Sequence, residues 1–260
     1  MTGLERTFPL EPEDLPGLEN QFTFYAYFMG EAEKLAIKQM GGVPIHHGAV
    51  MCNRVTSAML AVMLALINKG DRVLSVVQKG RSHPSVQQAV NLVGGSFYEV
   101  IGVDAVEAAI QKGPWKMLVI TPLTPSKYHI PAADVRRAIK LGNDADILVF
   151  ADDAHMISRC VFYDEPRTFA LGEVDAAVWS LDKHVPGPRG AAIVARQDMM
   201  DRIQGQVFQF GLEAQSGHNV AMLRGMQALD TTRIEDASQL SRQAYDRFRR
   251  RYGQRIYQAG

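Results

Sequence analysis

From residue 53 onward, short runs of consecutive apolar residues alternate with longer stretches in which apolar positions recur every three or four residues. The short runs fall at 72–77 (RVLSVV), 96–101, 117–121, 147–151 (ILVFA), 176–180 and 191–195. Runs of this length, bounded by turn residues and rich in Val and Ile, predict strands buried on both faces. The longer stretches predict helices at 55–68, from Pro84 to the Gly94-Gly95 stop, at 104–112 before Gly113-Pro114, and at 131–141. Alternating strands and helices predict an α/β large domain with a mainly parallel sheet covered by helices and right-handed crossovers. In such sheets, ligands sit beyond the carboxyl ends of the strands, so the polar residues after each strand are the candidates for chemistry.

The flanks read differently. Residues 1–22 hold several Pro and acidic residues without periodicity and suggest an extended arm. Residues 23–40 suggest a helix ended by Gly41-Gly42. Residues 214–260 are polar, helical in pattern and Arg-rich, but Glu235, Asp236 and Asp246 are interleaved with the arginines, as on a solvated face. The expected division is an N-terminal arm and helix (1–44), an α/β large domain (45–212) and a helical C-terminal segment (213–260).

Composition changes this picture little. Equal numbers of basic and acidic residues, 28 each, give no global attraction to nucleic acid or anionic membrane. The two cysteines make no disulfide framework and suit a reducing compartment. The most apolar early run, 58–67, is too short to span a bilayer and follows a polar segment, and no N-terminal stretch has a basic flank followed by an apolar core. The expected setting is the cytoplasm, without membrane association.

The residues after the strands carry the chemistry. The run ILVFA delivers Asp152-Asp153-Ala154-His155. A carboxylate at a buried strand end needs a cationic or hydrogen-bonding partner. The pyridine nitrogen of pyridoxal 5′-phosphate would be one, and helix capping or magnesium binding are alternatives. After 176–180 comes Ser180-Leu181-Asp182-Lys183-His184-Val185-Pro186-Gly187-Pro188-Arg189-Gly190. A lysine in this Gly/Pro-constrained turn suits Schiff-base chemistry if burial lowers its pKa, although a solvated loop lysine would read the same. Ser180 is placed to reach a phosphate, and the glycines are expected to let the backbone pass close to the cofactor.

Val55, Thr56 and Ser57 open the apolar helix, where unpaired N–H groups and the dipole favour a phosphate; a plain cap is the alternative. His83, after 72–77, is a candidate for stacking on a cofactor ring, or an ordinary loop histidine. Thr124, in the Thr121–Ser126 turn, could reach the cofactor's phenolic oxygen.

Taken in order, these pieces resemble the fold type I pyridoxal-phosphate enzymes, the aspartate aminotransferase superfamily. The shared order is a phosphate-binding helix start, a ring-stacking residue, Asp-x-Ala-His after a strand, and Ser-x-x-Lys. The lysine turn is similar to that of serine hydroxymethyltransferase, except that Asp182 stands where that enzyme has His. NRVTSA, Arg81-Ser82-His83-Pro84-Ser85, Asp152-Asp153-Ala154 and Asp182-Lys183 resemble the selenocysteine synthase (L-seryl-tRNA selenium transferase)-like branch, over about residues 45–200.

The resemblance implies a homodimer or higher oligomer acting on an amino acid or its derivative. Lys183 would be the Schiff-base lysine and general base, Asp152 the partner of the ring nitrogen, and His155 an orienting or contacting residue. It favours β-elimination or replacement, then aldol cleavage or transamination; a tRNA substrate is not expected. Family members usually carry a small C-terminal domain that donates an arginine for the substrate carboxylate. Here that domain is expected to be absent or truncated. That leaves Arg81, Arg159 and Arg189 as the internal candidates, or a partner chain that completes the site. A cofactor-binding but non-catalytic subunit is the reading from another class.

Overall fold

The computed structural model describes residues 7–255. Its strands are β1 (His47–Cys52), β2 (Arg72–Val77), β3 (Ser96–Ile101), β4 (Met117–Ile120), β5 (Leu148–Asp152), β6 (Ala176–Ser180) and β7 (Ala191–Arg196). They form one seven-stranded sheet in the order β1-β7-β6-β5-β4-β2-β3. Pairing is parallel from β3 through to β6, and β7 runs antiparallel to both its neighbours. The reversal at β7 follows from its connection: residues 181–190 make a turn without a helix, too short for the crossover that a parallel neighbour needs.

Period-two alternation sorts the strand side chains onto two faces. Leu118 and Ile120 of β4 join a cluster with Ile139 and Met222, while Met117 and Val119 join Met59, Val62 and Ile203 on the other face. The helix Val55–Leu66 is apolar on nearly all sides because it lies between the sheet and the helix Gln197–Gln209. Each fully buried Leu, Ile or Met side chain stabilises the fold by about 1.5–3 kcal/mol.

The chain leaves β2 for β3 on one side and returns to place β4 on the other. The loops after β2 and β4 therefore part at the carboxyl edge and open a crevice there, as at any topological switch point.

Several expectations are revised. Residues 12–19 form short helical turns, Pro12–Asp14 and Leu15–Glu19, in place of an extended arm; residues 1–6 lie outside the described residues. The helix expected at 23–40 runs from Gln21 to Gln39 with a π-helical stretch at Phe24–Met29. Strand β1 was not anticipated, because its buried run is only Ala49–Cys52, preceded by Gly48 and a polar His47. The helix Ser216–Gln227, expected within a separate C-terminal segment, contributes Val220, Met222, Leu223 and Met226 to the main core. The helix Thr232–Tyr252 is largely exposed, as its charge pattern suggested, with Ile234 buried.

A buried ion cluster ties the end of β5 to the helix after it. Arg159 is fully buried and pairs with Asp153 through two contacts, Nε–Oδ1 at 3.3 Å and Nη2–Oδ2 at 2.7 Å. Its Nη1 donates to Glu165 Oε2 at 3.1 Å and to the Pro166 carbonyl at 2.9 Å, and Thr168 Oγ1 donates to Asp153 Oδ2 at 2.9 Å. Removing one member of such a pair leaves the other charge buried and alone. Arg159→Met is expected to cost about 3–5 kcal/mol of unfolding free energy, read by urea denaturation. A loss below about 1 kcal/mol would show that the cluster is dispensable.

Candidate functional site

The carboxyl edge of the sheet opens into a cavity of about 180 Å³. Every segment that lines it ends or follows a strand: Arg54, Val55 and Thr56 after β1, His83 and Ser85 after β2, Thr121 and Leu123 after β4, Asp152 at the end of β5 with His155 beyond it, and Ser180 at the end of β6 with Lys183 beyond it. Six residues selected from the sequence on chemical grounds thus meet around one space with Val55: Thr56, His83, Asp152, His155, Ser180 and Lys183.

Asp152 and Asp153 are neighbours with opposite environments. Asp153 turns back into the protein and is saturated by Arg159 and Thr168. Asp152 is 4% exposed, and its Oδ1 is buried without a hydrogen-bond partner among the described residues. Burial pushes its carboxyl up to about 6, against the pull of the Lys183 ammonium. A buried acceptor left open in this way costs about 1–3 kcal/mol or more unless a donor reaches it. Asp152 lines the cavity, so a donor would reach it from there.

Lys183 is held by its turn. Leu181 N–H donates to the Gly190 carbonyl at 2.9 Å, and Gly190 N–H donates to Asp182 Oδ1 at 2.8 Å. Asp182 N–H lies 3.3 Å from Ser180 Oγ. The turn glycine was expected to give room to a cofactor, but the close approach is to protein: a Cβ on Gly190 would stand 2.0 Å from Met222 Sδ. Likewise a Cβ on Gly225 would stand 2.7 Å from the Pro186 carbonyl oxygen. The turn is therefore seated on the helix Ser216–Gln227. Burial lowers the Lys183 pKa below the ordinary lysine value, Asp152 opposes that shift, and Lys127 adds to it.

His83 has two roles at once. Its Nδ1 accepts the Ser85 N–H at 3.2 Å as the cap of the helix Pro84–Leu92, yet the ring lines the cavity. His155 is driven to about 2 by burial, with Lys183 and Lys127 adding to the effect, so it is neutral. Lys127 Nζ lies 3.3 Å from His155 Nδ1. Where Lys127 donates to Nδ1, the proton of the neutral imidazole is on Nε2 and His155 offers a hydrogen-bond donor there. Lys127 was missed in the sequence; it follows the Thr121–Ser126 turn and adopts a left-handed φ of 66°. The Thr124–Tyr128 loop enforces that conformation through the paired contacts Thr124 N–H to Tyr128 O at 3.0 Å and Lys127 N–H to Thr124 O at 2.8 Å.

Other sequence candidates lie elsewhere. Thr124 is buried, does not line the cavity, and accepts the Tyr128 N–H at 3.1 Å; Thr121 takes the lining position. Ser57 donates to Asn53 Oδ1 at 2.6 Å and is not part of the lining. Arg159 cannot grip a substrate, because it is fully buried and committed to Asp153 and Glu165. Arg81 and Arg189 are exposed and outside the lining. The arginine that does line the cavity, Arg54, stands in the quoted NRVTSA segment but was given no role.

Comparison with known proteins fits this layout. No protein-family model matches the chain. It is 32% identical over 249 residues to a UPF0425 pyridoxal phosphate-dependent protein of Methanosphaera stadtmanae, covering 95% of this chain and 62% of that one. It is 34% identical over 240 residues to the protein of the same description from Methanothermobacter thermautotrophicus, covering 91% and 60%. The chain thus spans about three fifths of the length of these curated relatives. Neither description names a selenocysteine synthase. The crystal structure of ureidoglycine–glyoxylate aminotransferase from Bacillus subtilis superposes with a TM-score of 0.64 at 16% identity, covering 85% of this chain and 63% of that one. The chain has the fold of that aminotransferase, a helix-covered, mainly parallel sheet with its cavity at the carboxyl edge.

Proposed function

We propose that this chain is a pyridoxal-phosphate enzyme acting on an amino acid or an amino-acid derivative. The observation that carries the reading is the cavity in which Asp152, with its open buried acceptor, and Lys183, a partly buried amine in a braced turn, occupy the ends of adjacent strands. The description shared by the relatives names the same cofactor.

Each residue has a definable task. Asp152 Oδ1 would hold the proton of the ring nitrogen. Lys183 Nζ would hold the cofactor's aldehyde carbon covalently and, once released from it, carry a proton at the substrate carbon. The first N–H groups of the helix Val55–Leu66 and the Thr56 hydroxyl would hold the phosphate, with Ser180 beside them. His83 would cover the ring, and the Nε2–H of His155 would donate to an oxygen on the cofactor. When bound, pyridoxal phosphate supplies an aldehyde for amines and a ring that takes up electron density from the substrate carbon. On the side of reaction type, we favour β-elimination or replacement at a serine- or cysteine-like substrate, in keeping with the selenocysteine-synthase-like motifs, with an isologous dimer as the working assembly.

Reduction with borohydride after loading, followed by peptide mapping, tests the assignment. The label is expected on Lys183, absent from Lys183→Ala, and a label on Lys127 or another lysine would overturn it. Asp152→Asn is expected to keep the label and lose most turnover, whereas Asp153→Asn should act mainly on stability.

The pH dependence has a definite sign. Burial disfavours the ammonium of Lys183, so its uptake of pyridoxal phosphate, followed by absorbance, should rise with pH around a midpoint below the ordinary lysine value of 10.5. The Asp152 carboxylate favours the ammonium, so removing its charge in Asp152→Asn should move the midpoint further down. An upward shift would contradict the placement of the two groups.

A further inference from the structure

A second cavity, of about 60 Å³, lies beside the edge strand β1 and shares no lining residue with the one at the carboxyl edge. Segments far apart in the chain build it: the π-helical stretch Phe24–Met29, the end of the helix Gln197–Gln209, and residues 213–219 at the start of the helix Ser216–Gln227. A π-helical turn is a rare conformation that recurs at functional sites. Here it brings Phe24, Tyr25 and Met29 to the cavity. Two other lining residues each have a buried oxygen with no hydrogen-bond partner among the described residues, Glu213 Oε2 and Asn219 Oδ1. Asn219 is only 3% exposed, so solvent does not reach it freely. Glu213 makes no ion pair among the described residues, and its other oxygen accepts only a long contact from Gln215 Nε2, at 3.4 Å. Its charge is felt at the end of β1, where the Cys52 thiol is pushed up by burial first and by Glu213 second.

We propose that this cavity binds a primary ammonium group, either ammonium itself or the head of a short alkylamine. The proposal is independent of the cofactor reading. Buried acceptors without donors call for a ligand rich in N–H, and a carboxylate without a counter-ion calls for a positive one. A primary ammonium offers both, a charge and three donors. The aromatic side chains of Phe24, Tyr25 and Phe208 border the same space, and aromatic rings attract a cation over their faces. The size agrees, since 60 Å³ holds only a few water-sized groups. Other occupants fit worse. The start of the helix Ser216–Gln227 favours an anion, but Glu213, two residues before its cap Gln215, already supplies negative charge there. An apolar guest would leave both oxygens unmet. A divalent metal needs several hard oxygen ligands, and no group of three or more His, Cys, Asp or Glu side chains is placed to hold one among the described residues.

The test follows the methyl signal of methylammonium chloride by saturation-transfer difference NMR. Ammonium, sodium, potassium and tetramethylammonium chlorides serve as competitors at constant ionic strength. Wild type and Lys183→Ala are both run without added pyridoxal phosphate, so that amine chemistry at the carboxyl edge contributes nothing. Saturable binding is expected in both proteins. Ammonium should displace the probe, while sodium, potassium and tetramethylammonium, which have no N–H to donate, should compete about tenfold less well or worse. Ammonium binding more tightly than methylammonium would name the free ion as the occupant, and the reverse order the alkylamine head; either order supports the proposal. Glu213→Gln keeps the shape and removes the charge, and should weaken binding about tenfold or more. Asn219→Leu removes one acceptor at similar size and should weaken it by about threefold or more. The absence of a saturable signal overturns the proposal, as does binding that Glu213→Gln leaves unchanged. Sodium or potassium competing as well as ammonium overturns it too, because the site would then serve inorganic cations. Thermal unfolding midpoints check that the variants fold, and Glu213→Gln alone decides if Asn219→Leu does not.

Discussion

A carboxylate at the end of a buried strand must find positive charge or hydrogen-bond donors, and the site is organised around the two ways this chain meets that requirement. Asp153 is answered from within, by the forked guanidinium of Arg159 and the Thr168 hydroxyl. Asp152 is met by the Ala154 backbone and the Thr121 hydroxyl, which pull its pKa down, but its Oδ1 has no close hydrogen-bond partner among the described residues. The internal pair fixes the backbone where β5 ends, and this holds Asp152 toward the cavity even though it is the less comfortable of the two. A fully paired Asp152 would read as a structural residue; with one buried oxygen unmet, it is the carboxylate on which the proposed cofactor reading rests.

The opposite wall depends on close packing. The turn carrying Lys183 leans on the helix Ser216–Gln227 through Gly190 against Met222 and Gly225 against the Pro186 carbonyl. A side chain at Gly225 would meet the Pro186 backbone and push the turn off the helix, whereas one at Gly190 would require the Met222 side chain to move. The charges around the amine are also consistent with one another. Lys127 and the low-dielectric surroundings favour its neutral form, Asp152 favours its ammonium, and His155 stays uncharged between them. Lys127 and His184 carry left-handed backbone angles of 66° and 67°. Strain of this kind, of the order of 1–3 kcal/mol per residue, persists where surrounding contacts over-determine it; Lys127 contacts His155, and His184 follows Lys183 in its turn.

Much of this was legible in the sequence because it is local. Strands β2 to β6 announce themselves as continuous apolar runs, and the rule that ligands lie past strand ends leads directly to Asp152 and Lys183. What the sequence concealed depends on contacts between distant segments. Strand β1 is short and begins with Gly48, so it exists by pairing with β7 more than by its own pattern. The commitment of Arg159 requires the fold to bring Glu165, Pro166 and Asp153 around one side chain. Arg54 and Lys127 were passed over for a related reason: each lies beside a stronger local signal, a helix start and a Pro-rich turn, and only the meeting of loops shows that they share a cavity or contact with the others. Thr124 shows the converse, a hydroxyl that looked free in sequence and serves the geometry of its own loop.

The central claim is that the open oxygen of Asp152 is matched by the ring nitrogen of the cofactor. Carbon-13 NMR of labelled aspartate, titrated with and without pyridoxal phosphate, measures it directly. Without cofactor, the Asp152 carboxyl should titrate near 6, raised by its burial. With cofactor, a cationic partner at Oδ1 should pull that midpoint down, well below its cofactor-free value. An Asp152 midpoint that stays where it was on loading, while Lys183 is fully labelled, would show that the carboxylate and the ring do not meet and would contradict the account.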